Sequence, residues 1–132
     1  MSRLVLVVDD DQEIREMLCV LLQINGFATD EAEDGLMALQ KIRQRPPHIV
    51  ILDVMMPNMD GITLCRLLRQ EPETYGLPVV MLSGKAHPHA VEDGLRAGAN
   101  RYLIKPSGLD VLITTLHELL QLQYALAEQR SG

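Results

Sequence analysis

Three short stretches of the chain, residues 3–8, 48–53 and 78–82, are apolar at consecutive positions. A strand with one wet face alternates apolar and polar residues. Runs of Val, Ile and Leu on both faces therefore predict strands covered on both sides, as in a parallel sheet held between helices. Two weaker strands are predicted at 27–32 and 100–104. The segments between them carry a helical period. Ile14, Met17, Leu18, Leu21 and Leu22 form one apolar stripe, with Asp11 placed to cap its start and Gly26 to follow its end. Leu36, Leu39 and Ile42 form a second stripe, stopped by Pro46-Pro47, and Ile62, Leu64, Cys65 and Leu68 suggest a third. The weakest helix is predicted from His89 to Ala99, with Gly94 inside it, and the longest over 109–129.

Strands that alternate with helices through short loops make five βα units. Right-handed crossovers turn such units into a doubly wound, five-stranded parallel sheet, here a single three-layer α/β domain over residues 1–132. The last helix, over 108–130, has two readings. Leu109, Leu112, Leu116, Leu119 and Leu126 recur at three- and four-residue steps with Gln123 in register. In one reading the early leucines are core and the tail frays; in the other the whole helix is a coiled-coil lead to an output domain beyond Gly132.

A length of 132 residues suits one domain, and 47% hydrophobic with 23% charged residues is the balance of an ordinary folded chain. No apolar run approaches the ~20 residues of a spanning helix, and no charged segment followed by an apolar one opens the chain, so a cytoplasmic protein without membrane contact is expected. The net charge of −6 argues against a nucleic-acid surface, which needs clustered Lys and Arg. Cys19 and Cys65 have no partner at metal-ligand spacing and read as reduced core thiols. His87 and His89 flank Pro88 and read as surface-loop histidines.

In open parallel sheets, ligands gather outside the carboxyl ends of the strands. Here strand one runs into Asp9-Asp10-Asp11, strand three into Asp53, strand four into Ser83-Gly84 and strand five into Lys105-Pro106. Each has an ordinary reading when taken alone: helix caps, a loop acid, a turn serine, a solvated lysine. Their joint placement at four strand ends of one sheet favours a shared site. Carboxylates from two neighbouring strand ends repel unless a cation compensates them, and hard oxygen ligands in that number suit Mg²⁺. A hydroxyl and an ammonium opposite them are what a phosphoryl group needs, so the chemistry suggested is phosphoryl transfer to a carboxylate.

The stretches Leu4-Val5-Leu6-Val7-Val8-Asp9-Asp10-Asp11, Ile49 to Gly61, Val79 to Gly84 and Ala97 to Pro106 resemble the receiver (CheY-like) family of bacterial response regulators, in the family's order and over nearly the whole chain. The resemblance implies a flavodoxin-like fold. It implies Asp53 as phosphoacceptor, with Mg²⁺ held by Asp10, Asp53 and the Met55 carbonyl and Asp9 helping directly or through water. Lys105 would pair with the carboxylate and then the phosphoryl group. Ser83 and Tyr102 take the family's switch positions, and Met55 and Lys85 its variable ones. It also implies a cis Lys105-Pro106 bond and a phosphohistidine donor on a sensor histidine kinase or phosphotransfer protein. Such a chain is a switch that catalyses only its own phosphorylation and dephosphorylation, and not an enzyme acting on other substrates.

Some positions depart from the family's pattern. Asn100-Arg101 replaces the usual acidic pair, and the last helix has no Lys or Arg until Arg130, which weakens the case for the salt-bridged form of a phosphorylation-dependent homodimer. Two rivals are a pseudo-receiver binding module and an aspartyl-nucleophile phosphatase. The first fits poorly with the full set of Asp9, Asp10, Asp53, Ser83 and Lys105. The second expects an acid where Met55 stands.

Overall fold

A computed structural model describes residues 2–84, 88–105 and 109–131. Five strands and five helices alternate along it: β1 Leu4–Val8, α1 Gln12–Ile24, β2 Ala28–Ala32, α2 Gly35–Gln44, β3 Ile49–Leu52, α3 Gly61–Gln70, β4 Val79–Ser83, α4 Pro88–Arg96, β5 Arg101–Ile104 and α5 Leu109–Ser131. The strands form one parallel sheet in the order β2-β1-β3-β4-β5. The three continuous apolar runs are thus the interior strands and the two weaker ones the edges. That is the expected division, because only an interior strand is covered on both faces and flanked by backbone on both sides.

Two apolar layers sandwich the sheet. Leu6, Val8, Val50, Leu52, Val79 and Met81 face one of them, with Ile42, Leu64 and Leu68 from α2 and α3. Val5, Val7, Ile49, Ile51, Val80 and Leu82 face the other, with Leu18 and Leu22 of α1 and Leu112, Leu116, Leu119 and Leu120 of α5. Both cysteines are free and buried, as the sequence suggested.

Two predicted stripes face the sheet as expected except at one residue each. Met17 is exposed and Leu18, Cys19 and Leu22 form the buried line of α1. Leu36 is exposed, and Ala38 with Ile42 seats α2 instead. Small residues let a helix lie close to the sheet, and a stripe drawn through the largest side chains misses them.

Helix ends follow the predicted chemistry. The Asp11 carboxylate accepts from the backbone N–H of Glu13 and of Ile14 at the start of α1, and Gly26 takes the left-handed φ of +91° after its end. His89 is exposed as expected, and it lies in the first turn of α4, as the predicted start of that helix at His89 has it, and not in a loop, because Pro88 fits the opening position of a helix. Along α5 the Gln123 amide donates to the Gly76 carbonyl at 2.6 Å, so the helix is tied to its own domain at that turn. Asn100 ties β5 to β4 and α3, since its Oδ1 accepts from the Val79 N–H at 2.8 Å and from Arg69 at 3.0 Å. The expectations for Lys85, His87, the Lys105-Pro106 bond and the side chains of Leu109, Leu126 and Arg130 lie outside the described residues.

Candidate functional site

The carboxyl ends of β1 and β3 lie side by side because these strands pair in register, Val8 opposite Leu52. The residues after them, Asp9 and Asp53, are therefore neighbours. Each is anchored by its backbone: the Asp9 N–H donates to the Ala32 carbonyl at 3.1 Å, and the Asp53 N–H to the Val8 carbonyl at 3.0 Å. With Asp10 they bring one carboxylate oxygen apiece within 4.8 Å of one another. Asp9 and Asp53 are buried while Asp10 is exposed. Asp11 is not part of the cluster, since its carboxylate caps α1.

Lys105 follows β5 and reaches across the sheet ends. Its Nζ stands 2.9 Å from Asp9 Oδ2 and 3.5 Å from Asp53 Oδ2. Burial by itself would lower the lysine's pKa. The hydrogen bond it donates to Asp9 and the charges of Asp53 and Asp9 outweigh it and hold the ammonium above its ordinary value of 10.5. Burial pushes the Asp53 carboxyl up from 3.8; Lys105 pulls it down, and Asp9 pushes it up again. Three acids against one ammonium leave a surplus of negative charge equal to that of two carboxylates. An all-oxygen donor set with this surplus and an open side at Asp10 fits a hard divalent cation such as Mg²⁺.

The other expected residues occupy distinct places. Ser83 ends β4 and is buried, and its carbonyl accepts from the Lys105 N–H at 2.8 Å, which couples the two loops. Tyr102 is half-buried on β5, one strand beyond, with its ring against α4. A Cβ at Gly94 would stand 2.7 Å from that ring and 2.7 Å from Met81 Sδ, so the glycine is what lets helix and ring approach. Met55 is exposed, and its N–H points toward Asp53 Oδ1 at 3.5 Å.

In the loop after Asp53 the sequence offers Pro57, with its fixed φ, and Gly61, a permissive residue, as turn residues. The left-handed residue is Asn58, at φ 67°. Gly61 is needed for space: a Cβ there would come within 2.3 Å of the Asp53 carbonyl oxygen and 3.0 Å of the Val54 Cα. Both neighbours are backbone and cannot swing away. Gly61→Ala is expected to destabilise the fold by about 3 kcal/mol, the upper end for overpacking, and to displace Asp53. Urea unfolding, with the Asp53 backbone amide followed by NMR, checks both effects.

Sequence reasoning did not find the residues that hold the site in place. Asp34 caps α2 and accepts from the Met37 N–H and from the Asn58 side-chain amide, both at 2.8 Å, so it fastens the loop after β3 to α2. The Met37 N–H first, and Asn58 second, hold its carboxyl below the ordinary 3.8. Stability drawn from a lowered carboxyl pKa is present above the unfolded value and is lost as pH falls through the folded one. Asp34→Ala should therefore cost about 1–2 kcal/mol at neutral pH, with a gap from wild type that narrows below 3.8. Denaturant midpoints at neutral and acid pH measure that narrowing. An Asp directly before a helical segment signals the cap, but only the fold brings Asn58 to it.

The whole arrangement agrees with what the chain resembles among known proteins. A family model described as the response regulator receiver domain matches residues 5–117. The DNA-binding response regulator MtrA of Mycobacterium tuberculosis is 43% identical over 106 residues, which are 80% of this chain and 45% of that protein. The chain thus spans about half the length of such relatives. The receiver domain of a Francisella response regulator superposes with a TM-score of 0.86 at 34% identity, covering 92% of this chain and 99% of that one. The chemotaxis response regulator CheY4 of Vibrio cholerae superposes with a TM-score of 0.84 at 32% identity, covering 90% and 99%. With the parallel five-stranded sheet and the acids at its carboxyl edge, the match identifies the chain as a member of the response regulator receiver domain family of two-component systems.

Proposed function

We propose that the chain is a phosphoacceptor switch in which the Asp53 carboxylate takes a phosphoryl group from phosphohistidine on a sensor histidine kinase or phosphotransfer protein. The observation that carries this reading is the approach of Asp9, Asp10 and Asp53 within 4.8 Å, with the Lys105 ammonium against two of them. A carboxylate oxygen of Asp53 attacks phosphorus in line, the phosphorus–nitrogen bond breaks, and the electron pair leaves with the imidazole. Lys105 moves from pairing a carboxylate to pairing a phosphoryl oxygen, so its charge is in place before the reaction begins.

Asp9, Asp10 and Asp53 are the side chains that would hold Mg²⁺, with the Met55 carbonyl as a further ligand. When bound, the ion neutralises charge on the transferring phosphoryl group. In the phosphorylated state the Ser83 hydroxyl donates to a phosphoryl oxygen, and Tyr102 rotates toward the space this vacates. The flat face of α4 at Gly94 lies along that ring. In this reading the chain turns over no external substrate, acts in the cytoplasm and passes its state to an output domain following α5. Support for that last step is its 45% coverage of a relative named as DNA-binding. Among the described residues no helix is long and apolar enough to cross a membrane.

The test is intact-mass measurement after incubation with a small acyl phosphate, with and without Mg²⁺. Gain of one phosphoryl group only when Mg²⁺ is present is expected. No gain under either condition would overturn the reading.

A further inference from the structure

Asp10 is the exposed member of the acid cluster, and among the described residues no hydrogen bond or ion pair holds its carboxylate. Its direction is set by the peptide that precedes it. That peptide is gripped at its oxygen: Arg15 Nη1, one turn into α1, donates to the Asp9 carbonyl at 2.8 Å. The guanidinium is itself fixed by β2, where its Nε donates to Glu31 Oε1 at 3.0 Å, and it is only 14% exposed. The Asp9 N–H is meanwhile bonded to Ala32 on the same strand.

We propose that Arg15, oriented by Glu31, is a positioning residue that aims Asp10 at the cation. The inference rests on the metal site described above and adds a brace to it. A guanidinium suits this role because its planar fork reaches two acceptors in fixed directions, which a lysine ammonium does not. Charge-assisted hydrogen bonds are also the stronger kind. Glu31 has a second effect: it neutralises Arg15, so the brace places no uncompensated positive charge beside a cation site.

This geometry makes a prediction opposite in sign to simple electrostatics. Removing a nearby positive charge should strengthen cation binding if Arg15 acts only through its charge. Removing a brace should weaken it. Partners one step behind metal ligands typically contribute ten- to a hundredfold in affinity.

Mg²⁺ titration by calorimetry, on wild type, Arg15→Met, Arg15→Lys and Glu31→Gln, separates the two. The expected result is about tenfold weaker binding in Arg15→Met, a smaller loss in Arg15→Lys, and weaker binding in Glu31→Gln. Mg²⁺ binding in Arg15→Met equal to or tighter than wild type overturns the brace. Should Arg15→Met not fold, unchanged binding in both Arg15→Lys and Glu31→Gln overturns it equally. Wild type that takes up no Mg²⁺ defeats the metal-site reading itself, a failure distinct from that of the brace.

Discussion

Asp53→Asn is expected to abolish the phosphoryl gain entirely while leaving a folded chain that is more heat-stable than wild type without Mg²⁺. The two effects share one cause. Asp53 is buried, and burial is the largest influence raising its carboxyl pKa above 3.8. A raised folded pKa means that the fold binds this proton more tightly than the unfolded chain does. The associated stability is full below 3.8 and is lost as pH rises through the folded value, so ionised Asp53 is a burden at neutral pH. An amide removes that burden and with it the nucleophile. Mass spectrometry after incubation with Mg²⁺ and an acyl phosphate reads the first effect. Thermal melts across pH in a chelator read the second, and the advantage of Asp53→Asn should vanish toward acid. An undiminished mass gain in Asp53→Asn would remove Asp53 from the proposed role.

Removing the cation on the other side should act in the opposite direction. Lys105→Met leaves Asp9, 4% exposed at its side chain, without the ammonium that stands 2.9 Å away. Loss of one partner from a sealed ion pair costs about 3–5 kcal/mol. Lys105 keeps 23% of its side chain in solvent, so a cost of about 2 kcal/mol is expected here. Its pKa is raised in the fold, so this stability is fully present below 10.5 and is lost as pH climbs through the folded value. Mg²⁺ competes for the same carboxylates, so saturating Mg²⁺ should recover most of the loss, and the variant should show a larger Mg²⁺-dependent rise in melting temperature than wild type. Phosphorylation should still fall, by about a hundredfold, as it does when a preorganised donor is removed from a transition state. Melts with and without Mg²⁺, together with phosphorylation rates, distinguish this from simple loss of structure. A variant that phosphorylates at the wild-type rate would show that Lys105 serves stability alone.

Much of the fold was legible in the residues. Continuous apolar runs marked β1, β3 and β4 as interior strands, and the mixed composition of β2 and β5 matched their places at the edges. Strand limits agreed within about one residue, and Asp11 and Gly26 marked both ends of α1. Met17 and Leu36, the exposed members of two otherwise buried or half-buried stripes, show where linear reasoning fails. Which of several apolar residues faces inward depends on how close the sheet lies, and that distance is a property of the assembled layers.

The site divides in the same way. Asp9, Asp10, Asp53 and Lys105 could be named because parallel topology places strand ends together whatever the intervening sequence, and their residue types then specify the chemistry. The supports could not. Arg15, Glu31, Asp34 and Asn58 are ordinary polar residues along the chain, separated by up to 24 positions from the groups they hold. Gly61 was visible as a turn residue, yet its role is to clear the Asp53 carbonyl. Local pattern determined which elements form and which charges stand at their ends, because periodicity and strand-end position are properties of neighbours in sequence. Only the tertiary structure decided how those charges are aimed, because a hydrogen bond between distant loops exists only once the layers between them have packed.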